Sequence, residues 1–361
     1  MSDHTHDDFM PLSRRETFLA RYPRNLKMAV TVVLFALVVL PPAWTHNRLH
    51  HPIKTAVDVH SNGDTQEEII PSATSSNAKV IETDVNAPAL NDQDDRSIKL
   101  VSSPDIRVTE DTAEGSLPRI SEDGLRPWQL YARPFNAADK RPRIAIVVTR
   151  LGMSRTITDA AISQLPPTVT LAFDIQAPVI AAWSARARQD GHEVLLGVPM
   201  EPFDYPRSDP GPSTLLTSLP NSDNLERLLT AMRRATGYIG ITSVSGSRFT
   251  TDSTKLAPVL QVLRDRGLMV LDARAAPHSA VTDMARNASI PVATVTERLD
   301  GDLSPDGIAA ALDNLEKTAR QNGRAIAMTS ATPVMITQLQ NWAKTLPQRG
   351  IALAPLSAMV Q

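Results

Sequence analysis

A few acidic and basic residues in the C-terminal part of the chain could do chemistry. Asp272 and Arg274 lie two apart in L-D-A-R, so at a strand end both side chains could face the same way and form a charge-assisted pair. An ion pair that only braces the loop is the alternative that we favour. Glu201, in P-M-E-P, could accept a hydrogen bond from a sugar hydroxyl or satisfy backbone donors of its own turn. Arg248, in G-S-R-F-T, could bind an acidic sugar or a phosphate, or contact a carboxylate as a brace.

The sequence by itself assigns no catalytic residue. Asp272 and Glu201 are the two candidates for that role. His278, in A-A-P-H-S, could join Asp272 in a makeshift metal site, although a lone loop histidine is usually solvated. His192 precedes a predicted strand in G-H-E-V-L-L and is predicted to be a packed core residue. The cluster H-N-R-L-H-H from His46 lacks the spacing of a structural zinc site. These residues predict no cofactor.

Other catalytic signatures are missing from the sequence. It contains no phosphate-binding G-x-x-x-x-G-K loop, no G-x-G-x-x-G dinucleotide turn and no G-x-S-x-G elbow. There is no cysteine, which excludes disulfides, thiolate catalysis and cysteine-bound zinc. The formal net charge is -2 over 361 residues, and the arginines are scattered between acids, so nucleic acid is not a predicted partner.

The N-terminal region predicts a membrane anchor. Residues 28–44 are uncharged and lie at the short end of the about 17 to 25 residues that cross a bilayer. Basic residues before this segment favour a cytoplasmic tail over residues 1–27. A cleaved signal peptide is the alternative, but no small-x-small cleavage site follows Leu40. We therefore predict a single-pass protein of the bacterial inner membrane with its globular part in the periplasm.

A change of composition marks the next boundary. Residues 45–124 are rich in Asp, Glu, Ser, Thr, Asn and Pro and poor in aromatic residues, which predicts a disordered acidic linker. Aromatic residues return in L-R-P-W-Q-L-Y-A-R-P-F from Leu125, so the globular domain is predicted to cover residues 125–361.

Short β-branched runs then alternate with longer helical patterns, which indicates strand and helix units around a parallel sheet. The predicted strands are 144–148, 168–173, 193–198, 238–242, 268–271, 291–294, 325–328 and 351–354. The predicted helices are 154–165, 179–189, 223–235, 253–266, 279–288, 305–321 and 333–346. Seven or eight such units favour an α/β barrel that is closed or nearly closed, with its chemistry at the carboxyl ends of the strands.

Several segments resemble the divergent polysaccharide deacetylase family. They are R-I-A-I-V-V-T-R-L-G-M from Arg143, G-H-E-V-L-L-G-V-P-M-E-P-F-D-Y-P from Gly191, S-G-S-R-F-T from Ser245, G-L-M-V-L-D-A-R from Gly267, A-I-A-M-T-S-A-T-P from Ala325 and G-I-A-L-A-P-L-S from Gly350. The resemblance implies a (β/α)7–8 barrel of the polysaccharide deacetylase type.

The resemblance also implies a divalent metal such as zinc, but the matching positions carry no ligands for it. Where the family has I-D-D-L-G, this chain has Thr149 and Arg150. Where the family has the histidines of H-L-P-M-E-P, N-N-H-M-G-S-R and I-G-H-P, it has Gly197, Val244 and Ser330. The residues that the family uses for shape or substrate contact are retained as Glu201, Arg248, Asp272 and Arg274.

Three hypotheses follow for function. The first is a family member without catalysis, retained in the cell envelope to bind polysaccharide, peptidoglycan or an envelope protein. The second is an active metal-dependent carbohydrate deacetylase whose site is rearranged around Asp272, Glu201 and His278. The third is a purely structural envelope protein.

Overall fold

The structure, a computed structural model, describes residues 96–360. The predicted cytoplasmic tail, the membrane segment 28–44 and the linker up to residue 95 lie outside the described residues. Between residues 96 and 360, no helix is both long enough and apolar enough to cross a bilayer.

Most of the described chain forms a curved parallel sheet with helices outside it. The sheet strands are β3 Arg143–Leu151, β4 Thr170–Asp174, β5 Val194–Met200, β6 Gly240–Ser245, β7 Met269–Asp272, β8 Val292–Thr294, β9 Glu297–Arg298, β10 Arg324–Ser330 and β11 Ala352–Leu353. Their order is β8-β7-β6-β5-β4-β3-β10-β9, and β11 pairs with β3. Both faces of the central strands are buried, which explains their nearly continuous apolar sequences.

The helices follow the strands in alternation, as predicted. They are α1 Pro127–Leu130, α2 Arg155–Gln164, α3 Ile180–Gln189, α4 Asn221–Met232, α5 Ser253–Asp265, α6 Val281–Asn287, α7 Pro305–Asn322 and α8 Pro333–Ala343. Polar side chains fix several of their starts, because Ser154, Asp252, Ser304 and Thr332 each accept a hydrogen bond from a first-turn backbone N–H. The predicted α/β class and the predicted elements are therefore confirmed, within a few residues at each end.

The predicted closed or nearly closed barrel is instead an α/β half-barrel of parallel strands. Strands β8 and β9 pair with β7 and β10 over only three and two residues, respectively. Between them, Val295 N donates to Asp272 O and Thr296 N donates to Ile326 O, so one short segment crosses from one edge of the sheet to the other. This segment is too short to pair fully with both edges, which leaves a groove between β8 and the lower part of β10. We call it the side groove.

Residues 96–124, predicted as part of the disordered linker, are structured instead. They contain an antiparallel hairpin of β1 Thr109–Thr112 and β2 Gly115–Pro118. Val108 and Leu117 are buried. Guanidinium groups of the half-barrel hold the backbone of this segment, since Arg188 Nη2 donates to Val101 O at 2.7 Å and Arg266 Nη1 donates to Pro118 O at 2.8 Å. The segment is too poor in apolar residues to fold alone, so its order depends on these long-range donors.

His192 is a packed core residue, as predicted. It is fully buried two residues before β5, with Nδ1 2.8 Å from Val169 O and Nε2 2.9 Å from Ile162 O. A neutral imidazole can donate to only one of these two carbonyls. Burial nevertheless lowers the pKa of His192 to about 4, because charge is costly in this environment.

We expect the stability of the protein to fall in mild acid through this histidine. The unfolded chain binds the proton near pH 6.5 but the folded chain only near pH 4, so the full stability is present above about pH 6.5 and is lost as the pH falls towards 4. The difference corresponds to about 3 kcal/mol. Urea unfolding at pH 7 and pH 4.5 should show a smaller loss for His192→Asn than for the unchanged chain. Equal losses would contradict this assignment.

Candidate functional site

A cavity of about 420 Å³ opens at the carboxyl ends of the strands, where the sequence predicts the site. We call it the mouth cavity. It is lined by Thr149, Arg150, Pro202, Asp204, Ser208, Ser243, Val244, Ser245, Ser247, Ala273, Arg274, Ala275, Arg298, Asp300, Met328 and Ser330. These residues come from the ends of β3, β5, β6, β7, β9 and β10, so distant parts of the chain build one polar pocket.

Four of the five positions matched to the metal ligands of the family line this cavity. They are Thr149, Arg150, Val244 and Ser330. Gly197 is not among the lining residues, and a Cβ atom added there would lie 2.9 Å from Val244 Cγ2 and 3.2 Å from Phe173 O. Four of the five positions that the resemblance matches to metal ligands therefore lie together in the structure. At the fifth, Gly197, neighbouring atoms leave no room for a larger side chain.

The side chains at these positions do not fit a divalent metal. Thr149 Oγ1 donates to Thr329 O at 2.9 Å, and Ser330 Oγ donates to Asp300 Oδ2 at 3.0 Å. Asp300 Oδ2 is also 3.2 Å from Arg298 Nη2. Within residues 96–360, no three acidic or histidine side chains converge as a metal site would require. The polar groups at the matched positions are hydroxyls and a guanidinium, and these groups cannot take the place of carboxylate and imidazole as metal ligands.

Three arginines dominate the charge of the mouth cavity. Arg150, Arg274 and Arg298 line it together with two carboxylates, Asp204 and Asp300. One of these carboxylates, Asp300, is engaged by Arg298 and Ser330. The other accepts a hydrogen bond from Ser208 Oγ. The pocket thus carries an excess of positive charge where the family places a cation.

Asp272 lies deeper and belongs to a separate network. It is 3% exposed and accepts hydrogen bonds from Ser279 Oγ at 2.9 Å and Thr282 Oγ1 at 2.7 Å. Its contact with Arg274 is made by the backbone N–H at 2.9 Å. The predicted charge-assisted pair between the two side chains is wrong, because Arg274 has a φ of 46° and leaves the strand geometry immediately after Asp272. The Asp272 carboxylate therefore braces the loop by accepting a hydrogen bond from the backbone N–H of Arg274.

Asp272 also lines the side groove, which has a volume of about 560 Å³. This groove is larger than the mouth cavity, yet it contains none of the positions matched to the metal ligands. Arg274 lines both spaces. We therefore take the mouth cavity as the candidate functional site, because four of the positions matched to the metal ligands of the family line it.

Glu201 and Arg248 form a bracing pair. Glu201 is buried, and its Oε2 accepts hydrogen bonds from the backbone N–H and from Oγ1 of Thr217. Its Oε1 lies 3.4 Å from Arg248 Nη1, and Arg248 Nη2 also donates to Phe203 O at 3.4 Å. Neither residue lines the mouth cavity. Of the alternatives for both residues, the structural one has the geometry in its favour.

The side chains required for a rearranged catalytic site are not brought together. Asp272 and Glu201 are engaged in different networks, and His278 is exposed and lines neither the mouth cavity nor the side groove. Among the four retained contact residues, only Arg274 lines the mouth cavity. No observation therefore favours the rearranged deacetylase.

Sequence reasoning did not single out Arg298 and Asp300, which reach the mouth cavity from β9. The predicted strand ends at residue 294, so residues 298 and 300 lie beyond every predicted strand end in this part of the chain. In T-V-T-E-R-L-D from Thr294, the only apolar residues are Val295 and Leu299, so no strict alternation marks β9 in the sequence.

Residues 146–360 match the family model described as divergent polysaccharide deacetylase. The chain is 25% identical over 206 residues to the uncharacterized protein YibQ of Escherichia coli K12, and the match covers 57% of this chain and 63% of that protein. An uncharacterized protein of Haemophilus influenzae is also 25% identical over 206 residues, with 57% of this chain and 72% of the relative covered. The chain thus spans less than two thirds of the length of the E. coli relative.

A solved structure extends this comparison to the fold. Uncharacterized protein ATU2773 from Agrobacterium tumefaciens C58 is 40% identical and superimposes with a TM-score of 0.67, covering 68% of this chain and 100% of its own. The match to the family model confirms the family that the sequence segments resemble. Because the family model covers more than half of the chain, this protein belongs to the divergent polysaccharide deacetylase family.

Proposed function

We propose that this protein is a carbohydrate-binding member of its family that does not carry out metal-dependent hydrolysis. The observation that carries the proposal is the mouth cavity, in which Thr149, Arg150, Val244 and Ser330 stand where the resemblance implies metal ligands. A metal-bound water becomes a nucleophile near neutral pH only when carboxylate or imidazole ligands hold the ion. The scaffold and its pocket are retained, whereas the chemistry of that ligand set is lost.

The lining of the mouth cavity is suited to a ligand rich in hydroxyl groups. Serine hydroxyls at positions 208, 243, 245, 247 and 330 and the arginine guanidinium groups provide donors and acceptors around it. Beside them, the Phe203 side chain is 56% exposed and follows the lining residue Pro202. Its backbone is held, because Phe203 N donates to Ser247 Oγ at 3.0 Å. An exposed aromatic ring on a held backbone beside a polar pocket offers an apolar face to a sugar ring.

The proposal includes a place in the cell. Residues 28–44 would anchor the protein in the inner membrane, and the half-barrel would bind polysaccharide or peptidoglycan, or an envelope protein, in the periplasm. The uncharged segment and the preceding basic tail support this placement. Protease accessibility of a tagged full chain in spheroplasts tests it, since protection of the C-terminal domain would contradict a periplasmic location.

Titration of the full chain with a neutral N-acetylglucosamine tetrasaccharide tests carbohydrate binding directly. We expect saturable binding without acetate release, both before and after incubation with zinc. Release of acetate by the zinc-treated chain, above the level of a heat-denatured sample, would restore the deacetylase hypothesis. Absence of binding to this neutral ligand and to its charged counterparts would overturn the proposed function.

We expect Phe203→Ala to weaken saccharide binding about tenfold, which is about 1.4 kcal/mol. The substitution removes the exposed ring from the rim but creates no cavity in the core, so the melting temperature should stay within about a degree of the unchanged chain. Ile106→Ala is the matched control, because Ile106 is also a strongly exposed apolar residue but lies in the N-terminal hairpin region. Equal affinity of Phe203→Ala and Ile106→Ala would show that the ring does not contact the ligand.

A further inference from the structure

Backbone strain is concentrated at the mouth cavity. Among residues 96–360, the non-glycine residues with positive φ are Arg150 at 60°, Ser245 at 60°, Arg274 at 46° and Ser289 at 55°. The first three line the mouth cavity. L-residues adopt this left-handed conformation at a cost in free energy, and such residues cluster at functional sites. At two of these positions the chain carries an arginine where glycine would fit without strain.

The two strained arginines have exposed guanidinium groups. Within the described part of the chain, neither the Arg150 nor the Arg274 side chain has a hydrogen bond or ion pair, whereas Arg298 is paired with Asp300 at 3.2 Å. The backbone of Arg274 is nevertheless held, because its N–H donates to Asp272 Oδ1 at 2.9 Å. The fold therefore fixes the backbone of this arginine but leaves its charge available at the pocket.

A guanidinium group presents a planar fork of N–H donors that matches the two oxygens of a carboxylate or a phosphate. Two such groups line one cavity, since Arg150 lies near the end of β3 and Arg274 lies two residues after β7. The other polar groups of this cavity are mostly serine hydroxyls. Neither carboxylate that lines the cavity forms an ion pair with Arg150 or Arg274. Asp300 is paired with Arg298 and accepts a hydrogen bond from Ser330, and Asp204 accepts one from Ser208.

We infer that the mouth cavity selects an anionic saccharide, with Arg150 and Arg274 binding its carboxylate or phosphate group. The inference rests on the proposed carbohydrate binding and specifies its ligand class. In this arrangement a positive guanidinium pair takes the place of a bound cation, so the pocket recognises charge of the opposite sign to that expected at a metal centre.

Two matched pairs of ligands test the inference on the full chain. The first pair is the neutral N-acetylglucosamine tetrasaccharide and a tetrasaccharide of alternating glucuronic acid and N-acetylglucosamine. The second is N-acetylglucosamine and its 6-phosphate, which distinguishes a phosphate from a carboxylate as the recognised group. We expect the charged member of at least one pair to bind at least tenfold more tightly, with a preference that shrinks as the salt concentration rises.

Glycine substitutions separate recognition from folding. Arg150→Gly and Arg274→Gly should each reduce the preference for the anionic ligand about tenfold, while the melting temperature stays equal or rises because strain is relieved. Arg150→Asn and Arg274→Asn repeat the test with a residue that also tolerates positive φ and retains a side chain. Ser289→Gly is the control, because it relieves the same strain at a position outside the mouth cavity and should leave affinity unchanged.

The outcomes distinguish the two proposals. Equal binding of the neutral and anionic members of both pairs would overturn the anionic specificity and leave carbohydrate binding intact. A preference that persists in both glycine variants would show that Arg150 and Arg274 do not recognise the charge. Binding of none of the four ligands would overturn the proposed function itself.

Discussion

Four substitutions should convert the mouth cavity into a zinc site. In the chain carrying Thr149→Asp, Arg150→Asp, Val244→His and Ser330→His, we expect a dissociation constant for zinc tighter than about 1 μM, against weaker than about 1 mM for the unchanged chain. This gain corresponds to about 4 kcal/mol. The physical reason is that the four positions already line one cavity, and that the first two changes add carboxylates while removing the Arg150 cation.

Calorimetric titration of the full chain with zinc after chelation measures this effect. Gly197 is left unchanged, because a Cβ atom there would lie 3.2 Å from the backbone oxygen of Phe173. The variant with only Thr149→Asp and Arg150→Asp is the matched control and should bind at least tenfold more weakly, since it lacks both imidazoles. A folded four-substitution variant without zinc affinity would show that the four positions do not converge as ligands. Micromolar zinc binding by the unchanged chain would contradict our assignment of its mouth cavity.

Replacement of Glu193 should have the largest effect on folding. Glu193 directly precedes β5 and is 1% exposed. Its carboxylate accepts hydrogen bonds from Arg133 N at 2.9 Å, Ser357 N at 3.1 Å, Thr170 Oγ1 at 3.3 Å and the Ser357 hydroxyl. These donors come from the segment before β3, from β4 and from the C-terminal segment, so one side chain connects three parts of the chain at the amino end of the sheet.

We expect Glu193→Leu to lower the free energy of unfolding by about 4 kcal/mol. The two backbone N–H groups would lose their buried acceptor, each at a cost of about 1 to 3 kcal/mol, whereas the two hydroxyl groups can rotate towards other partners. Urea unfolding of the full chain measures the change. Glu193→Gln should cost less, because its amide oxygen still accepts, and Glu122→Leu, at an exposed position, should be nearly neutral. A loss below about 1 kcal/mol for Glu193→Leu would show that the network does not hold these segments together.

The sequence predicts the strands of the sheet well, but it does not predict which segments are ordered by contacts with distant residues. The short apolar runs between the helical patterns predict each strand of the parallel sheet except β9. They do so because a strand that is buried on both faces has a continuous apolar sequence. The same logic failed for residues 96–124, where composition alone predicts disorder. Arg188 and Arg266 donate hydrogen bonds to backbone carbonyls of this segment from far along the chain. Such long-range donors cannot be predicted from a pattern within the segment itself.

The pairing of Asp272 with Arg274 shows where local rules end. A spacing of two places side chains on one face only while the backbone remains extended. Arg274 has a φ of 46°, so the rule stops at Asp272. The arginine lines the mouth cavity and the side groove without forming an ion pair with the Asp272 carboxylate. Positive φ in an arginine is not predictable from its identity, because the surrounding fold imposes it.

The sequence by itself determined the order of strands and helices, the family, and the lack of metal-ligating side chains at positions 149, 150, 197, 244 and 330. These properties depend on residue identity and on patterns within short windows. Only the tertiary structure decided that Arg150, Arg274 and Arg298 share one cavity and that Asp272 and Glu201 serve separate bracing networks. The reason is geometric: the carboxyl ends of parallel strands far apart in the chain meet at one end of the sheet, and left-handed backbone geometry there determines which side chains reach the pocket.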